Sequence, residues 1–115
     1  TECDLIFSKN GKETDDILGS GGGGVADIAS IALQLALWSI KKSRNVMIWD
    51  EPMKFVSVNL QDKCSEFLKK ISPELNIQII MSSHLPNIIE KADRIIKVVN
   101  TNGESKIFID NISSM

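Results

Sequence analysis

The chain has 115 residues, which bounds it to one compact domain spanning 1–115. Apolar residues make up 43% of it, enough to bury a core and to exclude intrinsic disorder. Thirteen basic against fifteen acidic side chains give a formal charge of −2, which excludes the strongly basic make-up of a stand-alone nucleic-acid binder. Cys3 and Cys64 form no metal-ligand pair, and reduced thiols in a cytoplasm are the default expectation. No run reaches the roughly 18 apolar residues of a membrane span. The most apolar stretch, 25–40, is interrupted by Asp27, Ser30, Gln34 and Ser39. The opening Thr-Glu-Cys-Asp has neither the basic start nor the apolar run of a signal peptide.

In chain order, residues 3–8 lead into Asn10-Gly11, a pair that supplies the positive φ values of a tight hairpin turn. A glycine-rich stretch, 19–24, then runs directly into a segment, 25–42, with Val25, Ile28, Ala32, Leu33, Leu37 and Ile40 on nearly every side. A helix that is apolar all round is expected to be buried. Residues 46–49 form a short continuous apolar run, read as a central strand covered on both faces. Leu60, Cys64, Phe67, Leu68 and Ile71 recur at helical spacing, with Ser57 or Asn59 as N-cap and Pro73 helping to end the helix. A buried strand is expected over 77–81, and Pro86 fits the first turn of a short helix reaching about residue 91. Asn102-Gly103, between 94–99 and 105–110, predicts a second hairpin with β-branched residues on both sides. Strands separated by helices make this an α/β chain with a parallel sheet, flanking helices and a β-hairpin at each end.

Three features could carry chemistry. Asp50-Glu51-Pro52 follows the first buried strand, and in open α/β sheets ligands bind beyond the carboxyl ends of strands. Asp50 could hold Mg²⁺, which takes one or two carboxylates plus substrate phosphates, and Glu51 could deprotonate a water. A solvated acidic turn is the alternative. His84, the single histidine, follows the next strand and should emerge on the same edge, where it can donate to a phosphate. Taken singly it reads equally as a surface residue. The glycines at 19–24, leading into a helix, offer free N–H groups and the positive end of a dipole to an anion. A flexible linker is the alternative there.

These features, in this order, resemble the C-terminal lobe of an ABC-type ATPase head, nearest to the SMC/SbcC group of chromosome-maintenance and DNA-repair ATPases, including bacteriophage members. The resemblance covers roughly residues 20–99. It implies that Asp50 is the Mg²⁺-associated Walker B residue, Glu51 the general base, and His84 the switch that senses the γ-phosphate. It also implies that Ser20, Gly21, Gly22, Gly23 and Gly24 form the signature that completes an opposite head's nucleotide site. The D-loop would fall at 53–59. The sequence departs from the family pattern in two places: the signature reads Gly-Ser-Gly-Gly-Gly, and the D-loop Asp position reads Ser57.

No Gly-Lys-Ser/Thr occurs, so there is no Walker A loop. The resemblance therefore implies a lobe cut where a coiled coil ends, before Thr1. Its N-terminal Walker A lobe would be supplied by the same or a companion chain. ATP and Mg²⁺ are the implied cofactors. A second head, a nuclease subunit and double-stranded DNA are the implied partners, with no membrane, in a bacterial or phage-infected cytoplasm. The implied activity is ATP hydrolysis that drives head dimerisation in repair, recombination or end processing, with the isolated chain inactive. Two rival expectations remain: a degenerate lobe that docks without hydrolysis, and a fragment of a transporter ATPase.

Overall fold

A computed structural model of the chain describes residues 6–111, while the side chains of 9, 17–21 and 111 fall outside the description. Cys3 and the start of the first predicted strand also lie outside the described residues. Strand β1 (Phe7–Lys9) pairs antiparallel with β2 (Lys12–Thr14), turning through Asn10 and Gly11 at φ 53° and 80°. Both values fall in the left-handed region that the Asn-Gly turn requires.

Helix α1 (Ile17–Ile40) begins well before the expected start at Val25. The glycines thus lie inside the helical run rather than in a loop ahead of it. The helix breaks at Gly22, where φ 78° and ψ 174° interrupt the helical path. A side chain would strain that conformation. Glycine is a poor helix former, by about 1 kcal/mol per residue relative to alanine, so tertiary contact must favour this arrangement. Gly23 and Gly24 provide it by packing against Phe55 and Val56. A Cβ on Gly24 would stand 2.8 Å from the Phe55 carbonyl oxygen and 3.3 Å from the Val56 Cα.

Strand β3 (Val46–Asp50) runs parallel to β4 (Gln78–Ser82), with Asp50 opposite Ser82 at the carboxyl end. Helix α2 (Val58–Glu74) connects them, with Ser57 at its N-cap in extended geometry and Pro73 inside its last turn. A short helix α3 (Pro86–Ile89) follows, with its proline in the first turn as expected. Strands β5 (Arg94–Thr101) and β6 (Glu104–Asn111) close a long antiparallel hairpin over Asn102-Gly103.

Burial is one-sided. Met47 and Trp49 point into a core with Leu35, Trp38, Met53, Val56, Leu68, Ile77 and Ile88. Trp49 Nε1 donates to Gln34 Oε1 at 2.8 Å and Trp38 Nε1 to the Arg44 carbonyl at 3.1 Å, so both indoles are satisfied where they are buried. The opposite face of the sheet is bare: Val46, Ile48 and Ile80 are exposed, Ile48 at 77%. The strand expected to be covered on both faces is covered on one. Helix α1 is likewise not buried all round, since Val25, Leu33, Leu37 and Ile40 are exposed, Ile40 at 83%. The apolar residues are present, but nothing among the described residues lies over them.

On α2 the buried stripe is Gln61, Ser65 and Leu68, while Leu60 and Phe67, expected inward, are exposed. Gln61 is buried because its amide donates to the Val56 carbonyl at 2.8 Å and the Met53 carbonyl at 3.4 Å, which caps the preceding loop. The part of α1 from Gly22 to Ile40 is long and apolar enough to cross a membrane by length and composition. Leu35 and Trp38 in the core, and the bond from Trp49 to Gln34, instead tie it to the sheet.

Gly24→Ala is expected to lower the unfolding free energy by about 1–3 kcal/mol, the usual range for overpacking, as read by urea denaturation. An unchanged midpoint would show that the segment 53–56 yields to the added methyl.

Candidate functional site

Parallel pairing of β3 with β4 decides what meets at the sheet edge. Asp50 and Ser82 are partners in register, so Glu51 and His84 both leave the sheet at the same end. Ser82 Oγ donates to Asp50 Oδ1 and accepts the Glu51 amide at 3.0 Å. The same amide points at the Ser82 carbonyl oxygen at 3.1 Å. His84 Nδ1 lies 3.0 Å from Glu51 Oε1, and Lys54 Nζ lies 3.5 Å from Glu51 Oε2. Glu51 is therefore held on both oxygens.

The chain after Asp50 is unusual. Glu51 and Met53 both have positive φ, 43° and 65°, without being glycine. Met53 is completely buried beneath this turn. From the other side, Asp27 Oδ2 of α1 accepts the Phe55 amide at 3.0 Å. Asp27, Asp50, Glu51, Lys54 and Phe55 line an open depression of about 580 Å³. Its rim carries three carboxylates and one ammonium group.

His84 and Lys54 set the electrostatics of Glu51. The hydrogen bond from His84 is the largest influence, and it holds the Glu51 carboxyl below the ordinary glutamate range. Partial desolvation opposes it, the attraction between the two charges adds to it whenever the ring is protonated, and Lys54 contributes least. Glu51 is thus ionised at neutral pH, as a proton acceptor must be. A carboxylate with a lowered folded pKa stabilises the fold above its unfolded value, and the contribution is lost as pH falls through the lowered one.

Among the described residues no cluster of three or more His, Cys, Asp or Glu side chains is poised to hold a metal ion. A self-contained cage is therefore absent from the described part of the chain. Asp50 alone, exposed at the strand end, fits an ion that takes most of its ligands from water and phosphates, as Mg²⁺ does.

The expected residues are partly assembled. Asp50, Glu51 and His84 come together at one edge, and Gly23 and Gly24 pack beside the loop that follows them. The break at Gly22 starts a fresh helical turn at Gly23, where backbone N–H groups again lack a preceding turn. The side chain of Ser20, and Gly21 beyond its backbone, lie outside the described residues. Ser57 stands at the N-cap of α2, its carbonyl accepting the Gln61 amide at 2.8 Å, and it does not line the depression.

Sequence reasoning missed Ser82, Lys54 and Asp27. Ser82 was visible only as a polar residue ending an apolar run. Lys54 and Asp27 gave no signal without knowing how the turn at Glu51 folds.

No protein-family model matches the chain, and no curated protein does. Solved structures do. The chain superposes on a structure described as "Structural biochemistry of ATP-driven dimerization and DNA stimulated activation of SMC ATPases" with TM-score 0.70 and 20% identity over 84% of its length. It superposes on the SmcHead bound to the C-winged helix domain of ScpA with TM-score 0.74 and 20% identity over 88%. A third is the Smc head domain with an extended coiled coil, bound to the C-terminal domain of ScpA derived from Pyrococcus furiosus, with TM-score 0.69 and 20% identity over 89%. The chain spans 58%, 29% and 24% of those three chains. It has an α/β fold shared with SMC ATPase heads and corresponds to only part of each.

His84→Ala is expected to raise the Glu51 pKa towards the ordinary glutamate value, and Lys54→Ala to raise it less, both read by NMR titration of the side-chain carboxyl carbon. A larger change with Lys54→Ala would reverse the assignment of the main partner.

Proposed function

We propose that this chain is the C-terminal lobe of an ATP-hydrolysing, SMC-like head, completed by a lobe that carries the Walker A loop. The observation that carries this reading is the Glu51–His84 pair beside Asp50, at the carboxyl edge of a sheet whose aliphatic face is bare. An edge with this chemistry needs a nucleotide delivered to it, and a bare face of Val46, Ile48 and Ile80 needs a cover. One companion lobe would supply both. Each motif alone has a bland explanation, but together, on this fold, they fit phosphoryl transfer to water.

In this reading Glu51 accepts a proton from the attacking water, with its carboxylate aimed by His84 and Lys54. His84 keeps its second ring nitrogen for the terminal phosphate. Asp50 is the carboxylate that would hold Mg²⁺, which when bound neutralises charge on the phosphates. Phosphoryl transfer depends mainly on positioning and charge stabilisation, which a few fixed groups can provide. The turn that begins at Gly23 would face the nucleotide of a second head, and head dimerisation is the motion that hydrolysis would drive. A nuclease subunit and double-stranded DNA as partners, an SbcC-like branch and a bacterial or phage-infected cytoplasm rest on the motif resemblance alone.

The test is to combine the chain with the lobe encoded upstream and to measure Mg²⁺-dependent ATP hydrolysis. Glu51→Gln is expected to keep ATP binding while turnover falls by about 10²–10⁴-fold, the usual contribution of a general base. Turnover within about threefold of wild type would exclude Glu51 as the base. A stable complex with no hydrolysis would favour the docking lobe instead.

A further inference from the structure

One hydroxyl touches both carboxylate-bearing residues at the sheet edge. Ser82 Oγ donates its proton to Asp50 Oδ1 and accepts the Glu51 amide at 3.0 Å. A hydroxyl can do both at once, having one O–H and two lone pairs. The rest of β4 offers no reason for a serine there. Ile79 and Met81 pack towards the core, while Ile80 and Ser82 share the bare face with Ile48 and Asp50. Strand propensity would favour a β-branched residue at 82.

The amide that Ser82 accepts belongs to the residue at the start of the strained turn. Glu51 sits at φ 43° directly before Pro52, a position whose backbone choices the proline ring narrows further. Holding that amide sets where the Glu51 side chain leaves the backbone, and it leaves towards His84.

We propose that Ser82 is a positioning residue for hydrolysis: its hydroxyl fixes the Asp50 carboxylate and the Glu51 turn together, so that the acid-bearing and base-bearing residues keep one geometry. The catalytic half of this proposal rests on the ATPase reading above; the structural half stands on the chain alone. Because Asp50 and Ser82 are exposed, water replaces the lost bonds in Ser82→Ala and the fold survives, but the geometry loosens. Ser82→Thr retains the oxygen.

Two measurements test it. The first is amide hydrogen exchange of the chain, in which Glu51 should exchange at least tenfold faster in Ser82→Ala and at the wild-type rate in Ser82→Thr, with Met47 to Trp49 unchanged. Unchanged exchange at Glu51 would overturn the proposal, since the Ser82 carbonyl would then suffice. The second is steady-state hydrolysis by the completed head. Ser82→Ala should lower kcat by roughly 10–100-fold, in keeping with small misplacements of reacting groups, with KM for ATP within twofold and recovery in Ser82→Thr. Equal kcat in Ser82→Ala, or a loss that threonine does not restore, would overturn the catalytic half. A wild-type head that binds ATP without turnover would sink the ATPase reading, and the exchange result would still decide the role of Ser82.

Discussion

The register of two parallel strands is the constraint on which the rest of this molecule depends. Val46 lies opposite Gln78 and Asp50 opposite Ser82, with no bulge between. Side chains alternate along a strand, so a slip of one residue would exchange the two faces. Met47 and Trp49 would swing out of the core, and Asp50 would turn towards α1. The apolar pattern holds the register from below, through Met47, Trp49 and Ile77. The bond from Trp49 to Gln34 pins it from the side. The site at the edge is a by-product of that pairing: whatever follows Asp50 and whatever follows Ser82 must emerge together.

One-sided burial follows from the same geometry and changes how the apolar residues should be read. The continuous apolar run at 46–49 indicates a strand with both faces covered, and 77–81 reads as a second buried strand. Here helix packing covers one face, and Ile48 and Ile80 are left in solvent. Helix α1 repeats the pattern with Leu37 and Ile40, and the hairpin of β5 and β6 exposes Ile96, Val98, Ile107 and Ile109 on one side. Hydrophobic composition records the whole environment in which a residue spends its folded life. It does not say which polypeptide segment supplies that environment. The solved SMC head structures that share this fold are longer than the chain, which spans 58%, 29% and 24% of them.

Much of the architecture was legible because local chemistry left little choice. The two Asn-Gly turns demanded positive φ at both positions, and the strands β3 and β4 were short apolar runs bounded by polar residues. The start of α1 was not legible, because runs of glycine ordinarily argue against a helix. What allows them here is close approach to Phe55, a long-range contact that leaves no trace in the local pattern. On α2 the expected residues Cys64, Leu68 and Ile71 do face the core, whereas Leu60 and Phe67 do not, for a related reason. Gln61 and Ser65 look like surface residues, yet Gln61 is buried by bonds to carbonyls of the loop before it. Asp50, Glu51 and His84 could be read as one edge from strand order alone. Ser82, Lys54 and Asp27 could not, since each acts through the shape of a single turn.

That turn shows where folding energy and chemistry are linked. Glu51 and Met53 both hold left-handed backbone with Pro52 between them, and such conformations cost about 1–3 kcal/mol each. They persist only where the surroundings over-determine them. Met53 is completely buried, Gln61 accounts for two of the loop carbonyls, Asp27 takes the Phe55 amide, and Ser82 takes the Glu51 amide. Burying a methionine side chain alone is worth about 1.5–3 kcal/mol, comparable to the strain of one such residue. The packing below the turn therefore offsets the distortion above it. A relaxed backbone at Glu51 would break its amide's bonds to Ser82 and send the carboxylate away from His84. The loop is thus strained at the residue whose direction matters most, and Asp27 ties it to the helix that carries the glycines. Gly23 and Gly24 meet the same loop at the Phe55 side chain and the Phe55 carbonyl, so the glycine turn and the strained turn are packed against one residue.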